Sequence, residues 1–208
     1  MIIHTIPVGI TQTNCYIVGC EETREGAVID PGGNPERIIK AIQESGLTIR
    51  YVFNTHCHFD HMGANADVVA ATSALLALHP AELPILQAQG GASWFGVPVQ
   101  ESPSPDVELA DGQVIEVGKL RFQVLYTPGH SPGGVTFYLE EESAAFDGDV
   151  LFAMGVGRTD LPGGDWDTLM RSICEVLFAL PDDTVLYPGH GPKTTVEREK
   201  KSNPWVAR

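Results

Sequence analysis

The sequence predicts an α/β protein, and three observations carry that expectation. Short runs rich in β-branched residues are bounded by Gly, Pro, Asn and Asp, as strands are. Amphipathic stretches with helical start and stop residues lie between them. Both halves of the chain repeat this order of strands followed by helices. At 208 residues, 43% hydrophobic and 19% charged, the chain fits a single globular domain over 1–208, with no linker to divide it.

In chain order, Ile2–Val8, Asn14–Val18 and Gly26–Ile29 read as strands. Asp30-Pro31-Gly32-Gly33-Asn34-Pro35 is a turn into a helix with apolar face Ile38, Ile39 and Ile42. Asn34 is its expected N-cap, Pro35 its first helical residue and Gly46 its end. Tyr51-Val52-Phe53 is a buried strand that stops at Asn54-Thr55. Gly63–Ala71 then reads as a helix, Ala74–Leu78 as a strand and Pro80–Gln89 as another helix. Segment 90–105, rich in Gly, Pro and Ser, is expected to form a surface loop or lid with Trp94 and Phe95 at its tip. Gln113–Val117 pairs with Leu120–Tyr126 around Gly118-Lys119, and Val135–Leu139 with Ala144–Phe146. Asp165–Leu180 is an amphipathic helix, Thr184–Tyr187 a last strand and Thr194–Lys201 a charged final segment.

The balance of charge excludes several classes of partner. With 27 acidic against 13 basic side chains the net charge is −14, the reverse of a nucleic-acid footprint. The apolar runs are too short to cross a bilayer. Cys15, Cys20, Cys57 and Cys174 form no CxxC pair and no disulfide-like spacing, which suits a reducing compartment. The start Met1-Ile2-Ile3-His4-Thr5-Ile6-Pro7 has no basic and apolar leader, so a cytoplasmic location is expected.

Chemistry concentrates at Thr55-His56-Cys57-His58-Phe59-Asp60-His61. Four potential ligands fall within six residues of a chain with seven histidines in all. In extended backbone His56 and His58 project from the same side and can share one metal, while Cys57 points the other way into packing. Asp60 and His61 come where the chain turns into a helix and can face a second ion, although Asp60 can equally serve as an N-cap. Further candidates follow strands in Gly-containing turns: Pro128-Gly129-His130, Asp147-Gly148-Asp149 and Pro188-Gly189-His190. Either aspartate of the middle turn can be the ligand or merely bond within the turn. His and carboxylate without a thiolate set favour Zn²⁺ or another borderline first-row ion. His4 and His79 lack such context and read as structural.

Thr-His-x-His-x-Asp-His followed by Thr-Pro-Gly-His, Gly-Asp-x-Leu-Phe and Pro-Gly-His-Gly resembles the metallo-β-lactamase superfamily. The wording is closest to its glyoxalase II-like (hydroxyacylglutathione hydrolase) group, with matches from Thr13-Asn14-Cys15-Tyr16 to Asn203-Pro204-Trp205. The resemblance implies a four-layer αββα sandwich with metals at one edge of two sheets. It implies His56, His58 and His130 on the first metal and Asp60, His61 and His190 on the second. Asp149 would bridge the two with a water or hydroxide. Two Zn²⁺ are expected, with Fe or Mn as substitutes, and Asp60 also orients the attacking hydroxide.

The expected reaction is metal-assisted hydrolysis of a thioester such as S-lactoylglutathione or a related acyl-glutathione. Full-length glyoxalase II enzymes continue into a helical glutathione-binding domain, which is not expected in a chain ending 18 residues after His190. The Gly157-Arg158-Thr159-Asp160 wording is similar to short glyoxalase II-like proteins and also to persulfide dioxygenases. A mononuclear iron dioxygenase using His56, His130 and Asp149 is therefore the alternative activity, and a metal- or ligand-binding module without turnover the alternative of another class. A β-lactamase is disfavoured because such enzymes are exported. Arg158 and Lys193 are the candidate contacts to an anionic substrate. Arg198, Lys200, Lys201 and Arg208 are weaker ones, set in a terminal helix, and Tyr16, Trp94 and Phe95 are candidate pocket walls.

Overall fold

A computed structural model describes residues 1–206. Strands β1 (Ile2–Val8), β2 (Thr13–Gly19), β3 (Glu25–Ile29), β4 (Thr48–Phe53), β5 (Leu75–Leu78) and β6 (Val107–Glu108) form one sheet in that order. β1 to β3 are antiparallel neighbours; β3 to β6 run parallel. The second sheet contains β7 (Val114–Val117), β8 (Leu120–Tyr126), β9 (Val135–Leu139), β10 (Ala144–Gly148), β13 (Val185–Pro188) and β14 (Thr194–Thr195), in the order β14-β13-β10-β9-β8-β7. A small hairpin, β11 (Leu151–Phe152) with β12 (Gly155–Val156), sits beside it.

Side-chain alternation explains the layering. On β2, Cys15 and Ile17 pack outward under helices α1 (Pro35–Ser45) and α3 (Asn65–Thr72), where Ile38, Ile42 and Val68 meet them. Tyr16 and Val18, one residue out of phase, join Phe53, Phe122, Phe137 and Phe146 between the sheets. The outer face of the second sheet, with Ala145 and Leu186, is covered by Leu169, Ile173 and Leu177 and by Val196 of α6 (Val196–Ser202). Three apolar layers between four layers of elements make the αββα sandwich. β2 is buried along its whole length because both faces are covered.

Several expected elements differ. The helix expected at Gly63–Ala71 is α3, and a separate short helix that was not expected, α2 (Phe59–Met62), precedes it inside the histidine cluster. The N-cap of α2 is His58, not Asp60. Asn34 occupies its N-cap in a left-handed conformation, but its side chain accepts from the Gly9 N–H at 2.8 Å instead of capping the helix. Pro80–Gln89 splits into a 3₁₀ turn (Pro80–Glu82) and α4 (Leu83–Gln87), since Pro84 interrupts the amide donors. Gly90 and Gly91 are buried at a left-handed kink (φ 64° and 72°) between two short helical turns within Gln89–Phe95, so the first part of segment 90–105 is packed rather than a surface loop.

Asp165–Leu180 forms α5 (Trp166–Arg171), a π-turn (Ser172–Val176) and a 3₁₀ turn (Leu177–Ala179). Its buried residues Leu169, Ile173 and Leu177 recur every four positions. In an α-helix that spacing drifts by about 40° per step, and the wider π-turn brings the stripe back onto the sheet. Among the described residues no helix is long and apolar enough to cross a membrane.

Candidate metal centre

β8, β10 and β13 point the same way, because β9 is antiparallel to both β8 and β10 while β10 and β13 are parallel. Their C-terminal ends deliver His130, Asp149 and His190 to one edge of the second sheet. The C-terminal end of β4 delivers His56, His58 and α2. The ligand-bearing ends therefore come from both sheets.

All seven expected ligands converge in two sets. The His130 Nε2 lies 2.9 Å from His58 Nδ1 and 3.2 Å from His56 Nε2. Beside this triad, Asp60, His61 and His190 form a second group, and His56, His61 and Asp149 link the two. Asp149 Oδ1 is 3.4 Å from His61 Nε2, and Asp149 Oδ2 is 3.6 Å from His130 and 3.5 Å from His190. Of the two aspartates in the Asp147-Gly148-Asp149 turn, Asp149 is in the centre. Asp147 is fully buried away from it and accepts from the Leu151 N–H.

The surrounding hydrogen bonds fix which nitrogens carry protons. His130 Nδ1 donates to the Arg158 carbonyl at 2.7 Å, so its Nε2 is a lone pair. The Thr55 hydroxyl donates to Asp30 Oδ2 at 2.7 Å, so its oxygen accepts from His56 Nδ1 at 3.1 Å. His61 Nδ1 donates to the same Asp30 oxygen at 2.9 Å. Nε2 of His56 and His130 are thus both acceptors, 3.2 Å apart, an arrangement a cation resolves. His61 Nε2 and Asp149 Oδ1 are buried without hydrogen-bond partners, the mark of a site built for an ion. The donor set fits divalent metals.

Charge divides the centre. Burial, followed by repulsion from neighbouring imidazoles, holds His56 well below the usual range and His58 down to about 3; burial lowers His130 too. For His61 burial opposes the charge, yet Asp149, Asp30 and Asp60 hold it well above the usual range. His190 is likewise raised, to about 9, by Asp149 and Asp60 against burial. Asp60 and Asp149 are depressed, burial being outweighed chiefly by His61. The first triad is neutral and the second group is an ion-pair network.

Backbone space is part of the design. A Cβ on Gly189 would lie 2.2 Å from Asp149 Oδ1 and 2.6 Å from His61 Cε1. Gly189→Ala is expected to lower metal content and cut turnover by roughly 100-fold, since ligand misplacement near 1 Å has that scale of effect. Metal analysis beside the rate checks it.

The centre floors a groove of ≈ 600 Å³ whose lining includes Arg158 and Phe95. Lys193 lines a separate cavity, its Nζ 5.8 Å from the Tyr187 ring centroid. Tyr16 is buried there and donates to the Pro188 carbonyl. Trp94 is exposed and does not line the groove. Lys200 and Lys201 pair with Asp182 and Glu197, and Arg198 approaches Glu199 at 3.9 Å. Arg208 lies outside the described residues.

Three supporting residues were missed. Asp30 directly follows β3 at the same edge as the ligands, a position that could have flagged it. Glu82, buried, accepts from the Cys57 N–H at 2.7 Å and the Gly133 N–H at 2.6 Å and had no sequence signal. Asn14 donates to the carbonyls of Pro188 and Gly191, bracketing His190.

Comparison with known proteins agrees with this geometry. The chain is 37% identical over 209 residues to the hydroxyacylglutathione hydrolase GloC of Haemophilus influenzae, covering 99% of this chain and 98% of that one. It is 36% identical over 203 residues to the human mitochondrial persulfide dioxygenase ETHE1, covering 95% and 72%. Among solved structures, the BLEG-1 B3 metallo-beta-lactamase superposes with a TM-score of 0.94 at 37% identity, covering 100% of both chains. TTHA1623 in a di-iron-bound form gives 0.90 at 40% identity, covering 98% and 100%. The pattern of one family matches residues 8–190, and with the fold and the cluster it makes the chain a member of the metallo-beta-lactamase superfamily, a family of metallo-hydrolases.

Proposed function

We propose that this protein is a two-metal hydrolase of thioesters, with acyl-glutathiones such as S-lactoylglutathione as its substrates. The observation that carries this reading is the pair of three-residue donor sets with Asp149 between them, 3.6 Å from His130 and 3.5 Å from His190, at the floor of an open groove. Three protein ligands per ion with a common carboxylate leave coordination positions for water and substrate. His56, His58 and His130 hold one ion, Asp60, His61 and His190 the other, and Asp149 lies between.

When bound, two divalent ions lower the pKa of water from about 15.7 toward ~7 and polarise a carbonyl oxygen. Zn²⁺ suits the imidazole and carboxylate donors, because Cys57 is turned into the outer core and adds no thiolate. Iron is the alternative, given the di-iron neighbour. Asp60, whose Oδ2 accepts from the Thr13 hydroxyl at 3.0 Å, is held ionised to orient the attacking water. A thiolate, with a pKa of about 8.5, leaves without a general acid. Arg158 at the groove is the contact for an anionic group of the substrate, and Lys193, in the neighbouring cavity, reaches only a substrate that extends past the groove.

Zinc-loaded protein is expected to hydrolyse S-D-lactoylglutathione at about 1 s⁻¹ or faster, and His58→Ala to abolish it. Absence of turnover above that control would sink the glutathione thioester reading. The similarity to ETHE1 favours one second reading, an iron-dependent persulfide dioxygenase using His56, His130 and Asp149. Oxygen consumption with a persulfide, in protein carrying one iron, separates it from the hydrolase. β-Lactams belong in the same screen because of the BLEG-1 neighbour.

A further inference from the structure

We propose that among acyl-glutathiones the groove prefers an acyl group that is apolar and longer than lactoyl, and that this group seats on Ile10, Phe59 and Phe95. The inference rests on the thioester reading above and names its substrate class.

Above the ligand-bearing floor, the groove is lined by Ile10, Phe59, Phe95, Phe152, Val156 and Leu161, with Thr11 as its one uncharged polar side chain. Among the described residues that line it, Arg158 is the single Lys or Arg. Its guanidinium is already paired with Asp160 at 2.7 Å. Such a surface offers a lactoyl hydroxyl little to bond. Three carbons would also leave most of the ≈ 600 Å³ to water against apolar walls.

The wall is preformed. Phe59 and Phe95 pack with ring centroids 5.2 Å apart. The turn carrying Phe95 is pressed onto α2, where a Cβ on Gly90 would meet the Phe59 nitrogen at 2.2 Å. Yet Ile10 is 76% and Phe95 47% exposed. Two large apolar side chains held wet at the mouth of a reactive groove are a surface that an apolar ligand covers. The acyl chain lies there and the thiol carrier extends toward Arg158. Water adds to the carbonyl carbon and the C–S bond breaks. The products are the fatty or aryl carboxylate and the free thiol.

The test is kcat/KM for S-acetyl-, S-butyryl- and S-hexanoylglutathione beside S-D-lactoylglutathione, on metal-loaded protein. Each buried methylene is expected to add about fourfold, placing hexanoyl well above lactoyl, and Phe95→Ala to flatten that slope. Cleavage of all four with no rise in chain length, or with lactoyl fastest, would overturn the apolar acyl site and leave the thioesterase standing. A slope unchanged in Phe95→Ala would overturn the assigned seat. Cleavage of none would overturn the thioester reading itself, and this inference with it.

Discussion

Asp30→Asn is expected to weaken metal retention by about 10–100-fold and to lower turnover with it. The Asp30 carboxylate is buried and accepts from the Thr55 N–H, the Thr55 hydroxyl and His61 Nδ1. Through Thr55 it also fixes the tautomer of His56. One side chain thereby sets the metal-facing lone pair of a ligand in each donor set. Asparagine has one acceptor oxygen and one donating amide. If the amide faces the Thr55 N–H, two donors collide; if it faces Thr55 Oγ1 and His61 Nδ1, both ligands lose their orientation. Asp30 sits at φ 53°, a conformation asparagine tolerates, so the backbone need not change. Dialysis against a chelator of known affinity, followed by metal analysis and kcat, gives the answer. Retention equal to the unmodified protein would contradict the role of Asp30.

The two metals are expected to load with different pH dependence. His56, His58 and His130 are held below their ordinary range, His58 at about 3, and are neutral above the pH at which ordinary imidazoles lose their protons. An ion entering this triad displaces no proton, so its affinity is flat from there upward. His61 and His190 are raised, His190 to about 9, and keep their protons where ordinary imidazoles have lost them. An ion entering the second set must displace them, so its affinity rises with pH. The rise is about tenfold per pH unit for each proton, up to about pH 9. Near pH 6.5 the chain therefore takes one ion readily, and toward pH 8.5 it takes two. Calorimetric titration in buffers of differing ionisation enthalpy measures protons released per ion. Proton release on the first ion, or a second-ion affinity that does not change with pH, would contradict this division.

Much of this centre was legible in the sequence because metal ligation leaves a dense local signature. His56, His58, Asp60 and His61 are close in the chain, and His130, Asp149 and His190 each follow an apolar strand. The strands were legible because burial on both faces gives continuous apolar runs, such as Cys15-Tyr16-Ile17-Val18 of β2 and Ala27-Val28-Ile29 of β3. What escaped depends on contacts distant in sequence. Asp30 is 25 residues from Thr55 and 31 from His61. Glu82 clamps Cys57 to Gly133 across 25 and 51 residues, and no local pattern marks it. Local rules failed where tertiary packing overrides them, as at the π-turn that keeps Ile173 on the sheet and at Gly90, expected in a surface loop but buried against α2.

The most direct test of a two-ion thioester hydrolase is the rate of S-D-lactoylglutathione hydrolysis at pH 8.5 as metal is added to the metal-free chain. Turnover is expected to rise to a break at two equivalents per chain and then stay level. No hydrolysis at two equivalents, or a plateau reached at one, would contradict it.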